Sequence, residues 1–360
     1  MVASAWGSQP AARGLSRGGS GPRVGLDLPR CRVVVEPAPV HVRCARNAVL
    51  PVGWQGYYPP ITMRAVAIER RHFSECHMHP VQKVLPTHLQ RQKEEKRKIT
   101  MLSIYDYALA ILADRAGLDT ILVGDSLAMT ALGYPSTVGV TLDEMLHHTR
   151  AVARGAKRAM VVADMPFMSY QVSPQEAVRN AGRFLKEAGA DAVKLEGGRA
   201  IVPTLQAVHN AGVPVIGHIG LTPQNAAQLG GLKVQGGDAV GGKRLLEDAL
   251  ALEAAGAFAV ILECVPREVA RIITQRLRVP TISYGAGVHC DGQGMVSADM
   301  LGLFEQFTPR FAKRYVDLAG QISGAFKSYC EEVVAGSFPD DKHSYGINAA
   351  ELEKLEAGLT

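Results

Sequence analysis

From residue 99 onward, short and almost uniformly apolar runs alternate with longer segments of mixed polarity. The runs are ITMLS (99–103), TILVG (120–124), AMVVAD (159–164), AVKLE (192–196), VPVIGH (213–218), FAVILE (258–263), VPTISY (279–284) and, least regular, MLGLF (300–304). Runs of this length, apolar at nearly every position, predict strands covered on both faces rather than half-exposed ones. Between them, SPQEAVRNAGRFLKEAGA and GGKRLLEDALALEAAGA place apolar residues at helical spacing, and each ends in a glycine-containing stop. Strand and helix in alternation imply right-handed parallel crossovers. Eight such units in about 215 residues fit a (β/α)8 TIM barrel better than an open sheet. The later segment RFAKRYVDLAGQISGAFKSYCEEVVAG (310–336) reads as one or two helices packed outside it.

Composition divides the chain. Residues 1–98 carry 16 Lys and Arg against 6 Asp and Glu, whereas residues 99–360 carry 23 against 28. The first 60 residues hold seven Arg, no Lys and two acids among Ser, Gly, Ala and Pro. That mixture cannot bury enough apolar surface to offset chain entropy, so 1–85 is expected to be a disordered basic extension. Its Arg-rich, acid-poor character matches a mitochondrial transit peptide, with a plain tail or an upstream start as the alternative and a cytoplasmic enzyme as the consequence. The barrel with its C-terminal helices is expected over 86–345 and a tail over 346–360. No run reaches the roughly 18 to 20 apolar residues of a membrane helix. His72, Cys76, His77 and His79 are zinc ligands by type but lack a second half elsewhere, so no metal is expected there.

A barrel carries its chemistry at the carboxyl ends of its strands. The residues at those ends are Asp125 and Ser126, Asp164, Lys194 and Glu196, His218, and Glu263. Taken alone, Asp125 and Ser126 read as a helix N-cap. Taken together, the set puts four carboxylates, an amine and an imidazole on one rim. Lys194 and Glu196, two apart on a strand, point the same way, toward the barrel axis if Val193 and Leu195 face the helices. So many buried charges must neutralise one another or hold an ion, and an oxygen-only donor set favours Mg2+. An alpha-keto acid would chelate such an ion through its ketone and carboxylate, acidifying the adjacent carbon for a carboxylate base.

With these residues in place, the chain resembles the ketopantoate hydroxymethyltransferase family. The matching segments are YDYALAILADRAGLDTILVGDSLAM, VVADMPFMSY, AVKLEGG, VPVIGHIGLTPQ, GGLKVQG, DALALEAAGAFAVILECVP and GAGVHCDGQ, in family order over residues 90–342. The resemblance implies a barrel of the phosphoenolpyruvate mutase and isocitrate lyase type. It also implies Mg2+ and 5,10-methylenetetrahydrofolate as one-carbon donor to 3-methyl-2-oxobutanoate, giving ketopantoate for pantothenate and coenzyme A synthesis. It assigns Asp125, Asp164 and Glu196 to the metal, and Asp125, Ser126, Asp164 and Lys194 to the substrate. Glu263 is assigned as the base at C3, and Lys194 and His218 join it as catalytic residues. It further implies small-molecule partners only and a homo-oligomer. Ser283 and Tyr284 in strand seven, the loop VQGGDAVGG and the turn QFTPRF depart from the family pattern.

Three alternatives stay open on sequence. Another keto-acid lyase or mutase on this barrel would use a reactive cysteine, yet Cys264 and Cys290 sit in no such motif. An inactive scaffold should have lost one of Asp125, Asp164, Lys194, Glu196 or Glu263, and none is missing. A nucleic-acid binder would need more than a basic stretch without interleaved aromatics. The glycine-rich run 230–242 lacks the strand and paired acid of a dinucleotide fingerprint, and a mobile loop over the site is the expectation.

Overall fold

Eight strands close into a parallel barrel in sequence order: β1 (Ile99–Ser103), β2 (Thr120–Val123), β3 (Met160–Asp164), β4 (Ala192–Glu196), β5 (Val215–Gly220), β6 (Ala259–Glu263), β7 (Thr281–Tyr284) and β8 (Gly292–Val296). The computed structural model describes residues 82–359. The expectations for the basic segment before residue 82, and for His72, Cys76, His77 and His79, lie outside the described residues.

The apolar runs form strands because both faces are covered. Alternate residues Met101, Leu122, Val162, Ala192, Ile216, Ile261 and Ile282 fill the barrel interior. Their neighbours Ile121, Val161, Val193, Leu195, Val215 and Leu262 join the layer under the helices. Each such side chain, fully withdrawn from water, contributes about 1.5–3 kcal/mol. Pro174–Lys186 shows how the outer layer is built: the Ser173 hydroxyl accepts the Glu176 amide at 3.2 Å, and Ala177, Asn180, Ala181 and Phe184 form its buried stripe. Helix Pro86–Glu94 seals the opposite end of the barrel, since its fully buried Leu89 packs with Val84 and Ile99 in the interior cluster. The mouth at the carboxyl ends of the strands is therefore the end available for chemistry.

Two expectations need correction. Strand eight is not 300–304 but Gly292–Val296, paired with β1 from Ile99↔Gly292 to Ser103↔Val296. It lacks a strand's usual residues because its inward positions must be empty. A Cβ on Gly294 would fall within the Tyr284 ring, and one on Gly292 would lie 2.6 Å from Ile282 Cδ1. The apolar run that suggested a strand begins instead at the end of a helical turn, Ser297–Met300. The segment after 310 does form a long helix, Leu318–Ala335, but it is not packed outside the barrel: only Ala319 is buried, while Phe326, Tyr329, Val333 and Val334 are exposed. Within the C-terminal tail, Ala349–Ala357 is a further helix. Among the described residues no helix is long and apolar enough to cross a membrane.

Candidate active site

Strand periodicity delivers the first part of the site. Val193 and Leu195 face the helices, so Lys194 and Glu196 point into the barrel. Asp164 ends β3 beside them, paired in register with Lys194, and Asp125 stands two residues beyond β2. All four are buried. One carboxylate oxygen from each of Asp125, Asp164 and Glu196 lies within 4.8 Å of the others.

Lys194 organises this group. Its ammonium has three protons and meets three acceptors: Asp164 Oδ2 at 2.8 Å, Glu196 Oε1 at 3.1 Å and His218 Nδ1 at 3.2 Å. Burial alone would lower the lysine pKa, but the surrounding carboxylates hold it well above its ordinary value. Glu196, despite burial, is held down at about 2, first of all by Lys194. Asp125 goes the other way: burial, and then the charges of Asp164 and Glu196, push it well above the carboxylate range. With all three acids ionised, one ammonium would leave two negative charges without local compensation, and this excess is what pushes Asp125 up.

The cap reading of Asp125 and Ser126 fails in the structure. Ser126 precedes a single helical turn, Leu127–Thr130, and makes no side-chain cap; its hydroxyl lies 2.8 Å from Tyr105 Oη instead. Asp125 Oδ2 accepts from Gln224 Nε2 at 2.9 Å, and the Asp125 amide donates to Asp164 Oδ2 at 3.2 Å. Ser126, beside the buried Asp125, is only half-buried. Gly124 keeps this corner open, because a Cβ there would sit 3.0 Å from Ser126 Oγ.

His218 joins this cluster to Glu263. His218 Nδ1 lies 3.2 Å from Lys194 Nζ and 3.3 Å from Glu196 Oε1; with Nδ1 accepting from the nearer Lys194, the imidazole proton is assigned to Nε2. That nitrogen is 3.3 Å from Glu263 Oε2, aligned too poorly for a full hydrogen bond. Glu263 is the most open of the acids, with 19% of its side chain exposed. The backbone around it is specialised. Cys264 adopts φ +47, uncommon for a residue with a Cβ, and Gly220 at φ +95 leaves room for the Glu263 carbonyl.

The structure thus brings all seven residues named from sequence to one end of the barrel. It adds Tyr105, Tyr170 and Gln224, which a search for charged residues passes over. Gln224 lies in the GLTPQ end of a segment singled out for resemblance, and only its proximity to the acids reveals its role. Cys264 is no thiolate nucleophile, since burial and the Glu263 charge push its thiol up to about 12.

The donor set fits a divalent cation. Asp164 Oδ1 is buried without a hydrogen-bond partner among the described residues, an expensive state for a carboxylate oxygen. With all three acids ionised, the uncompensated charge is that of a 2+ ion, and no Cys or His belongs to the trio.

Comparison with known proteins places this geometry. The family described as ketopantoate hydroxymethyltransferase matches residues 83–341. A 3-methyl-2-oxobutanoate hydroxymethyltransferase of Syntrophus aciditrophicus is 57% identical over 263 residues, 73% of this chain and 97% of the relative. One from Moorella thermoacetica is 58% identical over 257 residues, 71% and 96% of the two chains. Among solved structures, a phosphonopyruvate hydrolase aligns with a TM-score of 0.48 at 15% identity, over 76% of this chain and 95% of that one. A 2,3-dimethylmalate lyase, described as a member of the PEP mutase/isocitrate lyase superfamily, aligns with a TM-score of 0.46 at 18% identity, over 76% and 99%.

Proposed function

The chain belongs to the ketopantoate hydroxymethyltransferase family, and from that membership and the site geometry we propose how it adds a hydroxymethyl group to 3-methyl-2-oxobutanoate to give ketopantoate, with 5,10-methylenetetrahydrofolate as donor. The observation that carries the reading is the pairing of a buried, net-negative acid trio with a separate, partly exposed carboxylate at the same barrel mouth.

Asp125, Asp164 and Glu196 would hold Mg2+, the hard ion that an all-carboxylate donor set favours. When bound, Mg2+ supplies positive charge to the ketone and carboxylate oxygens of the keto acid and acidifies its C3–H. The Ser126 hydroxyl, held by Tyr105, receives the substrate carboxylate, with Lys194 adding positive charge from beneath. Glu263 takes the C3 proton. Its greater exposure suits it to approach the substrate carbon, and His218 Nε2, 3.3 Å away, steadies its charge without fixing its orientation. The C3 carbon then forms its bond to the donor's methylene carbon, both carbon–nitrogen bonds of the methylene bridge break, water supplies the hydroxyl, and the two released folate nitrogens take up the proton lost from C3 and the one lost from water.

The lyase alternative is weakened by the state of Cys264, whose thiol is held protonated. The test is formation of ketopantoate by the full chain from both substrates with Mg2+. Product that appears without the folate donor, or none with all components present, would contradict the reading. Two further features belong to it. The exposed apolar side chains of Leu318–Ala335 support a homo-oligomer that covers them. The Arg-rich first 60 residues support a mitochondrial presequence ahead of the family match.

A further inference from the structure

Gln224 touches more of the acid trio than any other neutral side chain in the site. It lies just past β5, in the helical turn Pro223–Asn225, and is buried. Its backbone N–H donates to Glu196 Oε2 at 3.1 Å, and its side-chain Nε2 donates to Asp125 Oδ2 at 2.9 Å and to the Met165 carbonyl at 3.0 Å. The amide orientation is fixed by its other end, where Tyr170 Oη donates to Oε1 at 2.8 Å and Gln171 Nε2 at 3.3 Å. A flipped amide would turn its oxygen on a carboxylate and a carbonyl, so only this orientation satisfies the network.

The consequence lies in which oxygens remain. Lys194 and the Asp125 amide take Asp164 Oδ2, Lys194 takes Glu196 Oε1, and Gln224 takes Glu196 Oε2 and Asp125 Oδ2. Asp164 Oδ1 is buried without a hydrogen bond among the described residues, and the Gln224 bond, made to Asp125 Oδ2, leaves Asp125 Oδ1 open. A carboxylate on a short side chain can rotate, and a donor fixed to one oxygen stops it.

We propose that Gln224 is a positioning residue for the cation site, holding Asp125 and Glu196 so that Asp125 Oδ1 and Asp164 Oδ1 face the ion. The inference rests on the metal reading above. Hydrogen-bonded partners of metal-binding carboxylates are commonly worth about 10- to 100-fold in affinity.

The experiment titrates the full chain with Mn2+ and reads free ion by electron paramagnetic resonance, for wild type, Gln224→Met and Tyr170→Phe. Gln224→Met keeps the volume and removes the amide; Tyr170→Phe keeps Gln224 and removes the hydroxyl that orients it, a hydroxyl that also bonds the Glu196 backbone. Expected are about 10- to 100-fold weaker binding in the first and a smaller loss of the same sign in the second. C3 proton exchange should recover in both at saturating metal, which a merely misfolded protein would not show. Unchanged Mn2+ affinity in both variants overturns the role of Gln224 while leaving the site reading intact. Exchange that fails to recover at saturating metal in both variants also overturns it. If Gln224→Met does not fold, Gln224→Ala takes its place in the same titration. Wild type that binds no Mn2+ removes the metal reading and this inference together.

Discussion

The two sides of the barrel mouth are built differently. On the side of β2, β3 and β4, Asp125, Asp164, Lys194 and Glu196 are no more than 4% exposed, and hydrogen bonds hold all but two of the carboxylate oxygens. On the side of β6 and β7, Glu263 is 19% exposed and makes no well-aligned hydrogen bond among the described residues. Charges that must stay fixed through a reaction gain from a rigid, desolvated setting. A base must gain and lose a proton and follow a carbon atom, so freedom there serves the chemistry. The contrast separates a holding side from an acting side.

Removing the organiser of the holding side should have the largest effect on the fold. Lys194→Met leaves three buried carboxylates without their ammonium and should lower stability by about 3–5 kcal/mol in urea denaturation with EDTA present. Mg2+ should restore part of that loss, and a loss below about 1 kcal/mol would mean the cluster is not held by its lysine. On the acting side, the packing of Tyr284 against β8 is the weak point. Gly294→Ala should cost about 1–3 kcal/mol by the same measurement, because its methyl group meets the Tyr284 ring. Adding Tyr284→Ile to it should recover most of the loss, while additive losses would rule out the steric explanation. Ser126→Ala, at the border of the two sides, would remove the hydrogen bond proposed to the substrate carboxylate and should raise KM for the keto acid about 3- to 10-fold with kcat little changed. Furthest from the mouth, Phe326→Ser should move stability by no more than about 0.5 kcal/mol. Its effect should instead be on association, read by analytical ultracentrifugation, and an unaltered sedimentation profile would separate that helix from any assembly.

The same contrast explains what could be read from sequence. Strands β2 to β6 announce themselves because both faces are apolar, and the charged residues at their ends stand out against that background. That Lys194 and Glu196 point the same way followed from period two, and that the way is inward followed once Val193 and Leu195 faced the helices. β8 was not legible, because glycines at 292 and 294 make room for Ile282 and Tyr284 and so remove the residues that mark a strand. Gln224 escaped for another reason: it is neutral, and its importance lies in hydrogen bonds to residues 28 and 99 positions away. The long C-terminal helix was legible as a helix, but its lack of packing was not, since its composition does not say what covers it.

The account turns on Glu263 taking the C3 proton while the acid trio does something else. The direct measurement is loss of the C3 proton signal of 3-methyl-2-oxobutanoate in D2O by NMR, with Mg2+ and with EDTA, for wild type and Glu263→Gln. Exchange in wild type that requires Mg2+ and falls by about 10²- to 10⁴-fold in Glu263→Gln, with Mn2+ binding unchanged, is the predicted result. Exchange that persists in Glu263→Gln would assign the proton to another group and contradict the division of the site.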